Sequence, residues 1–313
     1  MTHKPDPVPL ALLVSDLHLQ LETPVARNEK SWTKHMAQAF GQLRARAREL
    51  DVPIICAGDV FDHWKAAPEL INFAMDYLPE MHAIPGQHDL PLHNYDDIQR
   101  SAYWTLVKAK IIHHLEPGIP TIFPSPGNYP DLFVHAFPWG KEVTPNPSVD
   151  RGLHLAVIHS FIWRPQAGYP GASKESKLDN WRTRLKGYDT ALFGDNHRPF
   201  VGAAGQTIVF NHGTFFLRKS DERSISPHFG VLMSDGDVHL EHQDVQTAWG
   251  DMENIKAAEA LNSGDIRNLV SQLEELGSTG LDYVDAVAMY VETHEVPKPV
   301  KEIIVKIIQN ELS

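Results

Sequence analysis

The chain has 313 residues, with 28 Lys and Arg against 40 Asp and Glu, which gives a formal net charge of −12 at pH 7. A hydrophobic fraction of 42% supports a real core and excludes a disordered chain. The only cysteine, Cys56, excludes a disulfide scaffold and a cysteine-rich zinc site. The acidic balance argues against a uniformly basic nucleic-acid-binding surface, although it leaves room for a local basic patch.

No stretch of the sequence predicts a membrane span. The longest apolar runs, such as residues 8–14 and 303–308, fall far short of the roughly 20 residues that a transmembrane helix needs. The first 15 residues lack the small-residue cleavage site of a signal peptide. We therefore expect no membrane partner and a cytoplasmic location.

Short apolar runs alternate with amphipathic ones in the first third of the chain. They predict strands at 10–14, 52–57 and 81–85, and helices at 32–50, 70–78 and 98–107. This alternation is typical of parallel strands joined by helical crossovers. Residues 116–130 hold five prolines and predict a loop. Further strands are expected at 132–137, 153–159, 190–193, 207–210 and 229–233. The predicted fold class is a layered α/β sandwich with a mixed or second sheet.

The pattern changes near residue 245. Ser263 can cap a helix with a single apolar face, and residues 283–291 and 300–312 show a similar helical pattern. We expect a main domain over residues 1–245 and a small helical appendage over 246–313. The appendage could serve as a dimer or partner module, or only pack against the main domain.

The polar residues that follow the predicted strands share one chemistry. Ligands of α/β sheets gather at the carboxyl ends of strands, and five such ends carry a carboxylate, an imidazole or a carboxamide. This set suits Mn²⁺, Mg²⁺ or Fe²⁺ rather than a thiolate zinc site. The motifs are Asp16-Leu17-His18, Gly58-Asp59, Gly86-Gln87-His88-Asp89, His159 and Gly194-Asp195-Asn196-His197.

The spacing of these residues has a physical reason. Just beyond a strand, residues i and i+2 can point the same way, so Asp16 and His18 can reach one ion. Three carboxylates converging in one cleft, those of Asp16, Asp59 and Asp195, would repel one another. A pair of bound cations removes that repulsion.

In order, these motifs resemble those of the calcineurin-like metallophosphoesterases. The likeness covers roughly residues 8–243 and is greatest to the nuclease subunit of SbcCD-type DNA repair exonucleases and their phage relatives. It implies a four-layer α/β/β/α sandwich with mixed sheets. It also implies a hydrolase with two divalent metal ions about 3.5–4 Å apart, of which Mn²⁺ is expected first and Mg²⁺ or Fe²⁺ are alternatives.

The resemblance also implies a role for each motif residue. A metal-activated hydroxide would attack phosphorus in line, His88 would protonate the leaving oxygen or stabilise its charge, and Asp89 would orient His88. The first metal would be held by Asp16, His18 and His197, with Asp59 bridging. The second would be held by Asp59, Gln87, His159 and Asp195.

Two residues depart from the family pattern, and both would bind the second metal. Gln87 stands where Asn is expected, and Asp195 stands where His is expected. Both keep an oxygen donor, so we expect a retained, harder second site that favours Mn²⁺ or Mg²⁺. The alternative is a weakened or vacant second site, and with it a non-catalytic binding scaffold.

The connection over residues 160–188 carries six Lys or Arg against two acidic residues, a local charge of +4 in an acidic chain. Trp163, Tyr169 and Trp181 lie between these charges, a mixture that base stacking and phosphate contact use. The alternative is a solvated loop with aromatic anchors in the core. Expected substrate contacts are Arg164, Lys174, Lys177, Arg182 and Arg184.

These observations predict a metal-dependent phosphodiesterase, specifically a DNA exonuclease of DNA repair. A phosphodiesterase or phosphatase acting on a small nucleotide or a phosphoprotein is the alternative enzyme. The partners that the resemblance implies are DNA, a second copy of the chain, and a coiled-coil ATPase similar to SbcC.

Overall fold

A computed structural model of the chain describes residues 6–146, 151–168 and 172–251. The predicted C-terminal helices lie outside the described residues, so the boundary near 245 and the appendage stay predictions. No helix in the described ranges is long and apolar enough to cross a lipid bilayer.

Two six-stranded sheets form the centre of the described structure. The strands are β1 Pro9–Val14, β2 Ile54–Cys56, β3 Met81–Ala83, β4 Ile112–His114, β5 Thr121–Phe123, β6 Leu132–Phe137, β7 Leu153–His159, β8 Thr190–Gly194, β9 Phe200–Ala204, β10 Thr207–Asn211, β11 His228–Met233 and β12 Val238–His242. The first sheet has the order β12-β11-β1-β2-β3-β4 and the second β5-β6-β7-β8-β10-β9.

Both sheets are mixed. Strands β1 to β4 run parallel, β11 pairs antiparallel with β1, and β12 pairs antiparallel with β11. In the second sheet β6, β7, β8 and β10 are parallel, with antiparallel β5 and β9 at the two edges. These features confirm the predicted fold class, an α/β sandwich with mixed sheets.

Three helices, α1 Trp32–Leu50, α2 Pro68–Tyr77 and α3 Ala102–Lys108, cover the outer face of the first sheet. Helix α1 begins at Ser31, whose side chain accepts a hydrogen bond from the backbone N–H of Lys34, and it ends at Asp51 in the left-handed conformation. Its apolar stripe buries Met36 and Phe40 against the sheet. The helices therefore take the predicted positions as crossovers between parallel strands.

The two sheets pack face to face through apolar side chains. Leu13 and Ile55 of the first sheet belong to the same buried cluster as Leu155, Val157 and Leu192 of the second. Burial of apolar surface stabilises a fold by about 25 cal/mol for each Å² removed from water. The interface between the two sheets is therefore a main source of stability. It fixes the two sheets relative to each other, and with them the loops at their ends.

The outer face of the second sheet is covered by residues 160–168 and 172–188, and no long helix lies among these residues. Leu178, Trp181 and Leu185 are buried there, and the ring of Trp181 packs edge-on against Phe193 at 4.9 Å. Two short 3-10 turns, Lys174–Ser176 and Leu178–Trp181, supply the helical content of this fourth layer. Trp181 therefore lies on the inner side of this covering layer, and Lys174, Arg182 and Arg184 lie on its exposed side.

The helix expected at 98–107 is divided in the structure. A 3-10 turn, Tyr95–Arg100, comes first, and α3 begins after Ser101, whose side chain accepts a hydrogen bond from the backbone N–H of Trp104. The expected loop at 116–130 contains β5, which pairs with β6. Strands β4, β9 and β12 were also missed, because pairing with a neighbour decides such short segments more than their own composition does.

His35 on α1 makes the stability of this layer sensitive to acid. The ring is 7% exposed and stacks on Trp32 at 5.0 Å, and burial together with nearby Arg27 lowers its pKa to about 4. In the unfolded chain the pKa of a histidine is about 6.5. Between pH 6.5 and pH 4, His35 is therefore protonated in the unfolded chain and neutral in the folded one. Stability should therefore fall as the pH drops from 6.5 towards 4.

The test is urea unfolding of the full chain at pH 7 and pH 5. Between these pH values the native sequence should lose about 1–2 kcal/mol more than His35→Gln. His239→Gln, a change at an exposed position on β12, serves as the matched control. Equal pH dependence in the native chain and His35→Gln would contradict the prediction.

Candidate metal centre

The carboxyl ends of four strands carry the candidate ligands. Asp16 and His18 follow β1, Asp59 follows β2, His159 ends β7, and the residues of the Asp195–His197 turn follow β8. Backbone hydrogen bonds join the first two loops, from Asp16 N–H to Gly58 and from His18 N–H to the carbonyl of Asp59, at 3.0 and 2.9 Å. Strands of both sheets therefore contribute to one site.

Four of these residues have left-handed backbone. The φ angles are 54° at Asp16, 44° at His18, 52° at Asp59 and 88° at Asp195. Residues other than glycine rarely adopt this region, and the strain costs of order 1–3 kcal/mol each. Such strain persists only where the surrounding structure enforces it, and here it lies at the residues that converge.

The ligand atoms lie close together. Asp16 Oδ1 is 3.7 Å from His18 Nε2 and 3.6 Å from His197 Nε2. Asp59 Oδ2 is 3.7 Å from His18 Nε2 and 3.4 Å from His159 Nε2. Three sets of donor atoms are each mutually within 4.8 Å: Asp16, His18 and His197; Asp16, Asp59 and His159; His18, Asp59 and His88.

The outer nitrogens of three histidines lie beside oxygen atoms. Nδ1 of His159 contacts the carbonyl of Ala57, Nδ1 of His197 lies 3.1 Å from Glu222, and Nδ1 of His18 lies 3.2 Å from Asp62 without the geometry of a hydrogen bond. At His159 and His197 the oxygen fixes Nδ1 as the donor and leaves Nε2 as an electron-pair donor. The three Nε2 atoms are those that face the two carboxylates.

Several buried donor atoms make no hydrogen bond within the described residues, which tests whether a cation fits. Asp59 Oδ2, His159 Nε2 and Gln87 Oε1 are buried and make no hydrogen bond. An unsatisfied buried polar atom costs about 1–3 kcal/mol. All three are atom types that bind Mn²⁺ or Mg²⁺, so the residues present fit divalent metal ions.

When no cation is bound, protons on the imidazoles of His159 and His197 balance the negative charge of the carboxylates. Burial favours neutral groups, but the contacts of Asp16 with His18 and His197 hold the pKa of its carboxyl well below the usual value. Burial lowers the pKa of the imidazoles, yet Asp59 raises that of His159 to about 10, and Asp16 and Glu222 raise that of His197 to about 9. Metal ions must displace these protons, so metal affinity should rise with pH.

Glycines allow the loops to approach this closely. A Cβ atom on Gly58, where φ is 100°, would lie 2.5 Å from Nδ1 of His159. A Cβ on Gly86 would collide with the side chain of Asp59. Any larger residue at either position would push a ligand away from the cluster.

The two residues that depart from the family pattern contact each other. The amide of Gln87 donates to Asp195 Oδ1 at 2.8 Å, and the backbone N–H of Asp195 donates to the Asp16 carboxylate at 3.1 Å. Burial raises the pKa of the Asp195 carboxyl. The charges of His159 and Asp59 act on the Asp195 carboxyl, and binding of a second metal by Gln87 and Asp195 stays a prediction.

His88 lies at the edge of the cluster, 5.0 Å from the ring of His18. Its backbone N–H donates to Asp59 Oδ1 at 3.0 Å, and Nδ1 lies 2.8 Å from the carbonyl of Asp62. Nδ1 must donate to that carbonyl, so Nε2 is the nitrogen left for a substrate. Burial lowers the pKa of this imidazole.

Asp89 does not contact His88, contrary to the expectation that it orients this ring. Its carboxylate instead accepts backbone hydrogen bonds from Val60, Phe61 and Gly86 at 2.9–3.1 Å. Successive side chains of a 3-10 turn point about 120° apart, so the turn Gln87–Asp89 directs these neighbours differently. Burial raises the pKa of Asp89 to about 7, and its role in the structure is to join two loops.

Glu222 is a site residue that the sequence pattern did not reveal. It is 2% exposed, lies in the 3-10 turn Ser220–Glu222 and contacts His197. Its second oxygen accepts backbone hydrogen bonds from Arg218 and Lys219 at 2.6 and 2.9 Å. No local signal could have indicated it, since it lies 25 residues beyond His197 among ordinary loop residues.

Three of the basic residues of 160–188 contact either their own layer or the second sheet beneath it. Arg164 donates to the carbonyl of Val201, Lys177 pairs with Asp179 at 2.8 Å, and Arg184 lies over the ring of Trp181. Lys174 and Arg182 are exposed. Trp181 is a core residue, and Tyr169 lies outside the described part. A substrate role for these cations stays a proposal.

Residues 10–233 match the family model for the calcineurin-like phosphoesterase superfamily domain. No curated protein matches the chain. Among solved structures, a sulfate thiohydrolase SoxB from Thermus thermophilus is 11% identical with a TM-score of 0.45, over 82% of this chain and 61% of that chain.

Two other solved structures have similar scores. A NAD nucleotidase from Haemophilus influenzae is 13% identical with a TM-score of 0.44, over 83% of this chain and 57% of that chain. An archaeal phosphodiesterase is 10% identical with a TM-score of 0.36, over 74% of this chain and 99% of that chain. The chain spans less than two thirds of the length of the thiohydrolase and of the nucleotidase.

Glu222 should set the metal affinity through His197. Glu222→Gln places an amide either against His197 Nδ1 or against the two backbone N–H groups, so the imidazole loses its fixed orientation. We expect Mn²⁺ affinity of the metal-free full chain, measured by titration calorimetry, to fall about 10- to 100-fold. Asp221→Asn on the same turn, whose carboxylate faces Arg198, is the control. Unchanged affinity in Glu222→Gln would disprove this role.

Proposed function

The chain belongs to the calcineurin-like phosphoesterase superfamily, and we propose that it is a divalent-metal-dependent phosphodiesterase that cleaves DNA as an exonuclease. The observation that carries the hydrolytic part is the convergence, at the ends of both sheets, of buried carboxylates and imidazoles whose donor atoms include several that make no hydrogen bond. The DNA substrate is the finer part of the proposal, and it depends on the surroundings of the cluster.

The chain offers ligands for two ions. Asp16, His18 and His197 would hold the first, and His159, Gln87 and Asp195 the second, with Asp59 shared between them. When bound, the cations stabilise charge on the phosphoryl oxygens and lower the pKa of water, which makes a nucleophile available at neutral pH. Mn²⁺ is the ion we propose, since the ligand set mixes carboxylates with imidazoles.

His88 supplies the proton that the leaving oxygen needs. The carbonyl of Asp62 takes up the N–H of Nδ1, so His88 would carry a transferable proton on Nε2 only as the imidazolium. Burial disfavours that form, and a bound phosphodiester anion would favour it. The backbone N–H of the same residue holds Asp59. One residue therefore positions a shared ligand and presents the acid.

The rim beside Asp62 has features that suit a nucleic acid. His63 stacks on Trp64 at 5.7 Å, and the ammonium of Lys65 lies 4.7 Å from the same indole. Rings and cations together bind bases and phosphates without sequence preference. The exposed side chains of Lys174, Arg182 and Arg184 would extend phosphate contact along the outer layer, with Arg164 and Lys177 nearer the sheet.

The segment 160–188 also bears on the size of the substrate. A lid over the cluster would favour a small nucleotide, but Leu178, Trp181 and Leu185 of this segment pack on the second sheet. In the described part, the segment acts as a layer of the sandwich, which favours an accessible site. We retain a second copy of the chain and an ATPase similar to SbcC as proposed partners on the resemblance alone.

The direct test is incubation of the full chain with end-labelled single- and double-stranded DNA and Mn²⁺. Stepwise loss of terminal nucleotides is expected, together with inhibition by a chelator. Asp59→Ala should abolish cleavage and weaken Mn²⁺ binding, because it removes the shared ligand. Hydrolysis of bis(p-nitrophenyl) phosphate without DNA cleavage would refute the proposed nuclease activity. Hydrolysis of neither substrate would refute the proposal that the chain is an enzyme.

The contribution of His88 to turnover should increase with the basicity of the leaving oxygen. His88→Ala should lower turnover of DNA, which releases an alkoxide, by about 10²- to 10⁴-fold. Release of p-nitrophenolate needs little protonation, so turnover of the aryl ester should fall much less. Calorimetric Mn²⁺ affinity should remain. His113→Ala, at an exposed position that contacts Glu80, is the control, and equal losses for both substrates would contradict an acid role.

A further inference from the structure

The segment that follows His88 contains two strained residues that the metal ligands do not explain. Leu92 and His93 have φ angles of 49° and 58°, so two successive residues other than glycine are left-handed. Among the other described residues with positive φ, Asp51 and Lys110 lie just after helices, where this conformation is common. Consecutive strain of this kind costs of order 1–3 kcal/mol for each residue.

The strained conformation presents an apolar side chain to solvent. Leu92 is 58% exposed, although its neighbours Leu90 and Pro91 are buried. The backbone around it is anchored, since His93 N–H donates to Leu90 and Asn94 N–H to Pro91, at 3.1 and 2.9 Å. The exposed leucine is therefore held in place by a fixed turn, four residues beyond His88.

A row of rings links this turn to the metal centre. His93 packs edge-on against Trp139 at 6.5 Å, and Trp139 packs edge-on against His159 at 6.4 Å. The backbone N–H of Trp139 donates to Pro85 at 3.3 Å, which ties the indole to the loop that carries Gln87 and His88. Trp139 therefore lies beside His159, a proposed ligand of the second ion, and His93 lies on the other side of Trp139. Leu92, His93 and Trp139 are called the apolar wall below.

We propose that the apolar wall is a subsite for the nucleobase of the nucleotide whose phosphate is cleaved, an inference that rests on the proposed phosphodiesterase function. An exposed leucine and an indole suit a flat, apolar ring face, and stacking on an aromatic side chain accepts every base. The imidazole of His93 can meet the polar edge of such a ring. The wall therefore recognises a nucleoside in preference to an alkyl group on the same phosphate.

The test compares two esters that differ only in the group retained on phosphorus, thymidine 5′-(p-nitrophenyl) phosphate and methyl p-nitrophenyl phosphate. In both, an oxygen from water bonds to phosphorus and p-nitrophenolate leaves. The Mn²⁺-loaded full chain should have a higher kcat/KM for the thymidine ester. Trp139→Ala should reduce the ratio of the two values about 5- to 100-fold, the range expected for lost base stacking.

Leu92→Ser keeps the test decisive if Trp139→Ala does not fold, because Leu92 is exposed. It should reduce the same ratio about three- to tenfold. Leu240→Ser, at a leucine that is 46% exposed on β12, and Trp104→Ala on α3 are the matched controls, and both should keep the native ratio. A native ratio near one, or a ratio that both wall variants preserve, would overturn the subsite.

A binding measurement separates this inference from the proposed function. Calorimetry of the Mn²⁺-loaded chain should show tighter binding of thymidine 5′-monophosphate than of methyl phosphate, with the difference reduced in the wall variants. If neither ester is hydrolysed but this difference exists, the proposed function fails and the subsite stands. If both esters are hydrolysed and the difference is absent, the subsite fails and the proposed function stands.

Discussion

The burial of neighbouring carboxylates is the constraint on which the rest of this structure depends. Asp16 and Asp59 are at most 1% exposed, and a buried anion costs several kcal/mol unless a positive charge lies beside it. The compensating imidazoles of His159 and His197 come from the second sheet, whereas the carboxylates come from the first. The site therefore exists only where the apolar interface between the sheets holds their strand ends together.

Orientation is the second requirement, and the surrounding loops supply it. The outer nitrogens of three imidazoles face a backbone carbonyl, Glu222 and Asp62, so their inner nitrogens point at the carboxylates. Asp89 serves the same end through the backbone, because its carboxylate joins the loop after β2 to the loop after β3. Rigid support of this kind fixes ligands that sit on strained residues.

The two sides of the cluster differ in chemistry. Beside Asp62 lie stacked rings and a cation at His63, Trp64 and Lys65, and beside His159 lies the apolar wall. A polar rim suits phosphates that are not cleaved, whereas an apolar one suits a base.

The sequence by itself determined the longer strands and most of the candidate ligands, because both depend on local order. Apolar runs followed at once by Asp or His are visible without any knowledge of the fold, and Asp16, His18, Asp59, His159 and His197 do converge. Tertiary structure alone decided which side chains support them. Glu222 is distant in the chain from His197, Asp89 turns towards the backbone, and Trp181 is buried by the sheet that it covers. These outcomes depend on packing between segments far apart in sequence, which no local pattern encodes.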